Sequence, residues 1–403
     1  MATDSTTASG LLKRLYDDRE IEKIVNEVAV TWKKIPKSPK RPAGEGYFFP
    51  VNVQGNQRGT GSINELEALH TPDTQVVVQG RVQPKIVEHT IRMSGLSIEL
   101  AKGNEDSFAD NVTYQMEEGL NDTAKECNAQ LFRDGSGKLA QVNGAVSSSA
   151  TVTFKNGIPT HFRRGMYVDI INASNVKQVD SIKITDISIP NSTITLASTQ
   201  SCDDLSYIYR ENVGDNAPSD GKEIAGLKLV VDDGSLATTY ENISRSTYPQ
   251  FNGINIDMGS ANLSNDALQR AISRVKILSN GKLPNKVVSN TAQFRKYLDV
   301  VTPLKRFQDK SKMDSGYEEV PTWNGMEWIE DTDCDFDRVY IYNSKYLERF
   351  ELYPLKFDDR GGDIMKWDPD YDAYVAYAKI YVNVGTRVPN AHAALKTLAT
   401  PTF

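Results

Sequence analysis

The sequence predicts an α+β chain in several parts, built around one long helix and carrying a β-rich insertion. Three stretches predict it. Residues 104–133 place Phe108, Val112, Met116, Leu120, Ala124, Cys127 and Leu131 on one stripe at steps of three and four, the spacing of a helix that buries one face. Residues 139–215 break into short β-branched runs ("TVTFKNGI", "GMYVDIIN", "SIKITDISIPNSTITLAS", "LSYIYREN") separated by Gly, Asn and Pro. From Tyr371 to Leu398, "YDAYVAYAKIYVNVGTRVPNAHAALKTL" reads as one long strand that stops at a proline and tips into a short helix.

The totals fit that division. At 403 residues the chain exceeds one ordinary core and suits two or three. Hydrophobic residues at 39% and charged residues at 25% belong to a folded, soluble chain. A net charge of −7 argues against a basic nucleic-acid clamp, which needs clustered Lys and Arg. Cys127, Cys202 and Cys334 are odd in number and far apart, so they make neither a disulfide framework nor a zinc site. "MATDSTTASG" opens no secretory signal, and no apolar run approaches the roughly 18 residues of a membrane span. The expectation is a protein made in the cytosol, with no membrane partner.

Each part has its own signal. Residues 11–35 carry Leu12, Leu15, Ile21, Ile24, Val25 and Val28 at helical spacing, and "PKSPKRPAGEG" follows as an extended basic tether. Together, residues 1–48 form an N-terminal arm that must find its packing surface elsewhere. Over 49–103, "YFFPVNVQ" and "VVVQGRVQPKIVEHTIRMS" are strand-like and flank a polar, glycine-rich tip, the pattern of an extended hairpin or of a sheet edge with a long loop. The spine helix and the "DGSG" that ends it occupy 104–138. The β-rich insertion takes 139–215, closed by the linker "VGDNAPSDG". Residues 216–345 mix helices and strands. Ser264 or Asn265 caps a helix with Leu268, Ala271, Ile272, Val275 and Leu278 on one face; "KVVSN" is a buried strand; "TAQFRKYLDVV" is a second helix. Residues 346–403 hold the long strands.

No catalytic motif emerges. Neither a Walker loop, a G-x-S-x-G elbow nor an H-E-x-x-H pair is present, and "GTGSIN" at 59–64 lacks the third glycine of a dinucleotide fingerprint. His70, His89, His161 and His392 are scattered. "DTDCDFD" alternates aspartates like the start of a calcium loop, but Phe336 stands where glycine is needed and Tyr342 where glutamate is. It reads as a solvated acidic turn. "KKIPKSPKR" lacks interleaved aromatics, so it reads as a tether or an arm docking on an acidic neighbour. Catalytic, cofactor-binding and metal residues are therefore none, no cofactor is called for, and the chain is read as a non-enzyme.

The order of parts resembles a family. "NGKLPNKVVSN" followed by "TAQFRKYLDV", then "WNGMEWIEDTDCDFDRVYIYNSKYLERF", then "YVAYAKIYVNVGTRVPNAHAALKTL" is similar to the last third of the major capsid protein of a tailed double-stranded-DNA bacteriophage, with the Hong Kong phage-type capsid fold. The resemblance implies an N-terminal arm, an extended hairpin loop, a long spine helix, and peripheral and axial domains, with the β-rich stretch as an addition. It implies self-assembly into hexamers and pentamers of an icosahedral shell in a virion, assembled in the host cytoplasm. The implied partners are other copies of the chain, a portal, decoration proteins, and a separate scaffolding protein or none; the enclosed double-stranded DNA makes no sequence-specific contact. Residues 11–48 and 50–90 are expected to carry much of the subunit contact, and removal of 1–35 to leave a folded, assembly-defective subunit. Some members crosslink a lysine to an asparagine; those positions do not align here, and no crosslink is predicted. An encapsulin-like nanocompartment shell protein shares the fold, though such chains are usually shorter and lack the insertion. The stretch 139–215 alone also fits a β-rich phage adhesin or tail protein, against which the spine helix and the chain end argue.

Overall fold

The computed structural model describes residues 29–96, 105–157, 159–211, 221–301, 322–360 and 362–400. The predicted helical stretch through Leu12, Leu15, Ile21, Ile24, Val25 and Val28 lies outside them, as does most of the linker "VGDNAPSDG". The described arm makes one 3-10 turn at Trp32–Lys34 and then passes its three prolines without helix.

β1 (Tyr47–Gln54) and β2 (Val76–Val82) pair antiparallel from Tyr47↔Val82 to Gln54↔Val76, so the glycine-rich stretch between them closes a hairpin. β3 (Lys85–Ser94) leaves that hairpin and joins another sheet. α1 (Glu105–Gln130) is the spine, and its 26 residues span about 40 Å. Met116, Leu120, Ala124, Cys127 and Leu131 are buried as the stripe predicts; the side chains of Phe108 and Val112 lie outside those described. Opposite them stand Val87, Ile91 and Met93 of β3 in the same core. The helix crosses β3 so closely at Gly119 that a Cβ there would lie 2.8 Å from Ile91 Cδ1.

The insertion is a closed barrel. β4 (Lys138–Val142), β5 (Val146–Gly157), β6 (Tyr167–Ile171), β7 (Lys177–Ser188), β8 (Thr193–Cys202) and β9 (Tyr207–Arg210) close in the order β4-β5-β8-β7-β6-β9. Val152, Phe154, Val168, Ile184, Ile194 and Ile208 fill it as a core of its own. Closure leaves no sheet edge exposed, which is how so short a β unit tolerates Ser- and Thr-rich outer faces.

After the barrel come a single turn, α2 (Leu227–Val230), and the small hairpin β10 (Thr239–Tyr240) with β11 (Ile243–Ser244). β12 (Ile254–Asp257), α3 (Asn265–Leu278), β13 (Lys286–Ser289), α4 (Thr291–Val301), β14 (Thr322–Trp323), β15 (Met326–Glu330) and β16 (Val339–Tyr342) follow. Ser264 is the cap of α3, its side chain accepting from Ala267 N. Leu268, Ala271, Ile272 and Val275 are buried, but Leu278 at the helix end is exposed. β17 (Leu347–Phe357), β18 (Lys366–Asp368), β19 (Ala373–Thr386) and β20 (Ala393–Lys396) complete the chain.

Two sheets result. In one, β19 is central, with β17 and β18 along one edge and β3 along the other. The other runs β12-β20-β16-β13-β15-β14. Both of its faces are buried. Val287, Trp328, Ile341 and Leu395 meet α3 and α4, whereas Val288, Ile329, Tyr340 and Ala394 meet the core beneath α1. Strands covered on both sides are continuous apolar runs without alternation. That explains one departure from expectation. Beyond Pro389 the chain makes only the three-residue turn Pro389–Ala391 and then β20, not a short helix, because Ala393, Ala394 and Leu395 are each claimed by one face or the other. One strand thus leads directly from the first sheet into the second.

Candidate assembly surfaces

The hairpin projects a loop, residues 55–75, whose side chains are almost all exposed. Asn56 closes its mouth by accepting from Gly59 N and Asp73 N through Oδ1, at 2.9 Å each. At the tip, Asn64 N donates to Glu67 Oε2 and Glu67 N to Asn64 O, a small self-capped turn. It presents Ile63, Leu66 and Leu69 to solvent, Leu66 entirely. Leucines this exposed on an otherwise polar loop have no use inside the subunit. The stalk is anchored: Phe49 and Val51 of β1 are buried, and Gly80 opposite Phe49 makes room for the ring, since a Cβ there would sit 2.6 Å from its edge.

The arm does not wait for a neighbour over its described part. Trp32 and Ile35 are buried in the main core, and the Arg349 guanidinium lies over the Trp32 ring. Lys34 pairs with Glu327 and Lys37 with Glu351, and Lys40 sits over Phe49. The basic run is thus spent largely on carboxylates and a ring of its own chain. A truncation of 1–35 would strip Trp32 from the core, so it would test folding as well as assembly.

The acidic turn corrects the sequence reading more sharply. Asp331 and Asp335 are buried, not solvated. Asp331 Oδ2 accepts from Thr31 N and Thr31 Oγ1, and both its oxygens face Asn128 Nδ2 at 3.1 Å. Asp335 accepts from Tyr340 OH. Burial raises the carboxyl of Asp333 to about 6. The turn is a socket that joins arm, spine and second sheet. Among the described residues no three His, Cys, Asp or Glu groups are arranged to hold a metal ion. Replacing Asp331 by alanine leaves Thr31 N and Asp333 N without their acceptor and Asn128 Nδ2 with Asp333 alone. The expected cost is about 2–4 kcal/mol, read as a lower urea midpoint, with faster tryptic cleavage at Lys33, Lys34 and Lys37.

The barrel is fixed by charge. Arg133, just past α1, is 3% exposed; it donates through Nη1 to Glu126 and Glu223 at 2.9 and 2.6 Å and through Nε to His161 Nδ1 at 3.1 Å. His161 faces Asp333 O through its other ring nitrogen, so Nε2 carries the proton. Arg210 of β9 adds a 3.0 Å contact to the far oxygen of Glu126. Burial would raise the Glu126 carboxyl, but Arg133 and Arg210 outweigh it and hold it low. Glu223 has one arginine and an unpartnered buried Oε2, so burial prevails and raises it. Burial likewise holds His161 neutral. Sequence reasoning did not find this cluster. The only local signal is that Glu126, Gln130 and Arg133 fall four and three residues apart on one helix face.

The other histidines are divided. His70 is exposed on the loop, and His89 faces α1. His392 is buried, accepting from Asn343 N and bonded to Thr386 Oγ1, and burial lowers it to about 3. No described helix is long and apolar enough to cross a membrane.

No family model and no curated protein matches the chain. Solved structures do. The Cyanophage A-1(L) capsid asymmetric unit aligns over 93% of this chain and 92% of that chain, with TM-score 0.57 at 10% identity. Gordonia phage Cozz aligns over 92% and 86% (TM-score 0.45, 12% identity), and the holo-SrpI encapsulin complex from Synechococcus elongatus PCC 7942 over 93% and 89% (TM-score 0.45, 9% identity). At such identities the likeness is one of fold. The fold is the one that the cyanophage capsid chain has. In particular it is the Hong Kong phage-type capsid fold expected from the sequence, with the barrel inserted after the spine helix.

Proposed function

We propose that this chain is the major capsid protein of a tailed phage, assembling as pentamers and hexamers of an icosahedral shell around double-stranded DNA. The observation that carries this reading is the fold shared with the cyanophage capsid chain over 93% of this chain. The exposed leucines of the 55–75 loop support contact between copies. Shell contacts are heterologous and must close on themselves, and a loop reaching onto a neighbour adds buried area without a large flat apolar face. The arm's outer residues, a scaffolding protein, a portal and decoration proteins belong to the same reading, as does a virion location. The net charge of −7 suits an inner wall that does not grip its DNA.

Negative-stain microscopy of the purified chain, alone and with its scaffolding protein, tests this. Closed shells or rings of five and six are expected, with nuclease-protected DNA in particles from infected cells. Shells filled with a protein cargo would point to a nanocompartment; monomers under every condition would sink the proposal. Replacing residues 56–74 by a short glycine-rich turn should leave the thermal midpoint within a few degrees, because the loop buries little. The same change should abolish closed particles.

A further inference from the structure

Glu241 is used twice at the root of the hairpin. Its carbonyl accepts from Arg81 N of β2, and its carboxyl Oε1 from Thr386 N of β19, each at 2.8 Å. It occupies the left-handed region at φ 50, followed by Asn242 at φ 65, so the turn between β10 and β11 is tight. Gly385 lets the carboxyl in: a Cβ there would lie 2.4 Å from Glu241 Oε1 and 2.7 Å from Val82 Cγ2. Glu241 Oε2 and Tyr240 OH are both buried with no other partner, and the two groups lie close enough to act on each other. Beside them lies a cavity of about 270 Å³ whose lining includes Arg81, Lys85, Leu229 and Asn383. In its lining, Asn383 Nδ2 donates to Gln83 O in the link between β2 and β3.

The charged groups facing Glu241 come from three sides. Lys40 approaches from the arm, itself flanked by Glu348 and Arg387. Arg245 approaches from beyond β11, held by Asp232. On the cavity side stand Lys85 and Arg81, whose guanidinium is turned to Glu45. Burial outweighs these cations and pushes the carboxyl up to about 8, so it is largely neutral at pH 7. The slot offers the Glu241 side chain one amide, Thr386 N, and the Tyr240 hydroxyl, which suits a neutral carboxyl better than a buried full charge.

We propose that Glu241 is the positioning residue that fixes the direction in which the hairpin leaves the body, and that losing its proton loosens that root. The ionised carboxyl would be drawn toward the cavity and its cations, surrendering Thr386 N and straining the Arg81 tie. The consequence for assembly rests on the shell reading; the clamp itself does not.

Hydrogen exchange on the full-length chain from pH 6 to 9, corrected for intrinsic rates, decides it. In the wild type, peptides covering 78–84 and 384–388 should lose protection roughly tenfold between pH 7 and 9, the effect of about one unit of proton linkage. Glu241→Gln keeps the acceptor and should hold protection at every pH. Glu241→Ala should be unprotected there throughout, with barrel peptides unchanged. Parallel curves for wild type and Glu241→Gln, or full protection in Glu241→Ala, would overturn the proposal; if the alanine variant does not fold, the first comparison suffices. Failure here would leave the shell reading, which microscopy tests, intact.

Discussion

Replacing Arg133 by methionine is expected to cost about 3–5 kcal/mol of stability at pH 8. The guanidinium pairs with Glu223 and is one of two arginines on Glu126, and all three groups are almost sealed from water. Methionine fills much of the volume but leaves Glu223 without its arginine, and Glu126 with Arg210 and the Gln130 amide alone. The pH dependence has a definite sign. Burial already raises the Glu223 carboxyl above its unfolded value. Its contribution is fully present below the unfolded value and is lost as pH rises through the folded one. The variant should therefore suffer least near pH 5, where Glu223 is protonated, and most at pH 8. All four tryptophans lie outside the barrel, at Trp32, Trp323, Trp328 and Trp367. Urea titrations followed by tryptophan fluorescence thus report the body, and hydrogen exchange reports the barrel. Changing Arg133, Glu126 and Glu223 together to apolar residues should recover most of the loss, since the cost lies in the orphaned charges. A deficit under about 1 kcal/mol at both pH values would mean that water reaches the cluster.

What was legible in the sequence depended on whether a pattern was local. The stripe from Met116 to Leu131 follows from helical geometry alone, and the structure buries it. A cap at Ser264 or Asn265 was legible from its position before an apolar-periodic run, and in the structure it is Ser264. The hairpin was legible because a polar, glycine-rich stretch lies between two β-branched ones. The barrel's strands were visible, but not its closure, which depends on β4 meeting β9 across some 70 residues of chain. The end of the chain was misread because β20 is buried on both faces and shows no alternation to set against a helix. The acidic turn was misread for a related reason. Alternating aspartates look solvated until Thr31 and Asn128, distant in sequence, supply their donors. The loop and its root divide the same way. The loop tip could be seen in composition, whereas Glu241 became notable only when the fold placed it between Arg81 and Thr386.

The barrel's return path is the second place where one substitution should have a large effect. The last carbonyls of a helix have no partner within it and need donors from elsewhere. Here the returning chain supplies one: Leu227 N donates to Leu131 O at 2.6 Å, while Ile224 N donates to the Gln130 side chain at Oε1, 3.2 Å away. For this the backbone must press onto the helix end at Gly226. A Cβ there would lie 2.2 Å from Arg133 O, 2.5 Å from Leu131 O and 2.6 Å from Gln130 O. All three are backbone atoms, which no rotamer change relieves. Gly226→Ala should therefore cost more than about 3 kcal/mol and should disturb the Arg133 cluster it abuts. Gly144→Ala is the matched control. Gly144 also sits in the barrel's surroundings, but at φ +82 with open space around it, so alanine there pays only for the left-handed backbone, about 1–2 kcal/mol. A larger loss at Gly226, whose φ is unexceptional at −84, would show that close approach and not conformational freedom requires glycine. Equal losses at the two sites would mean that the return path can lift from the helix end, and that the barrel is held less rigidly than its buried charges imply.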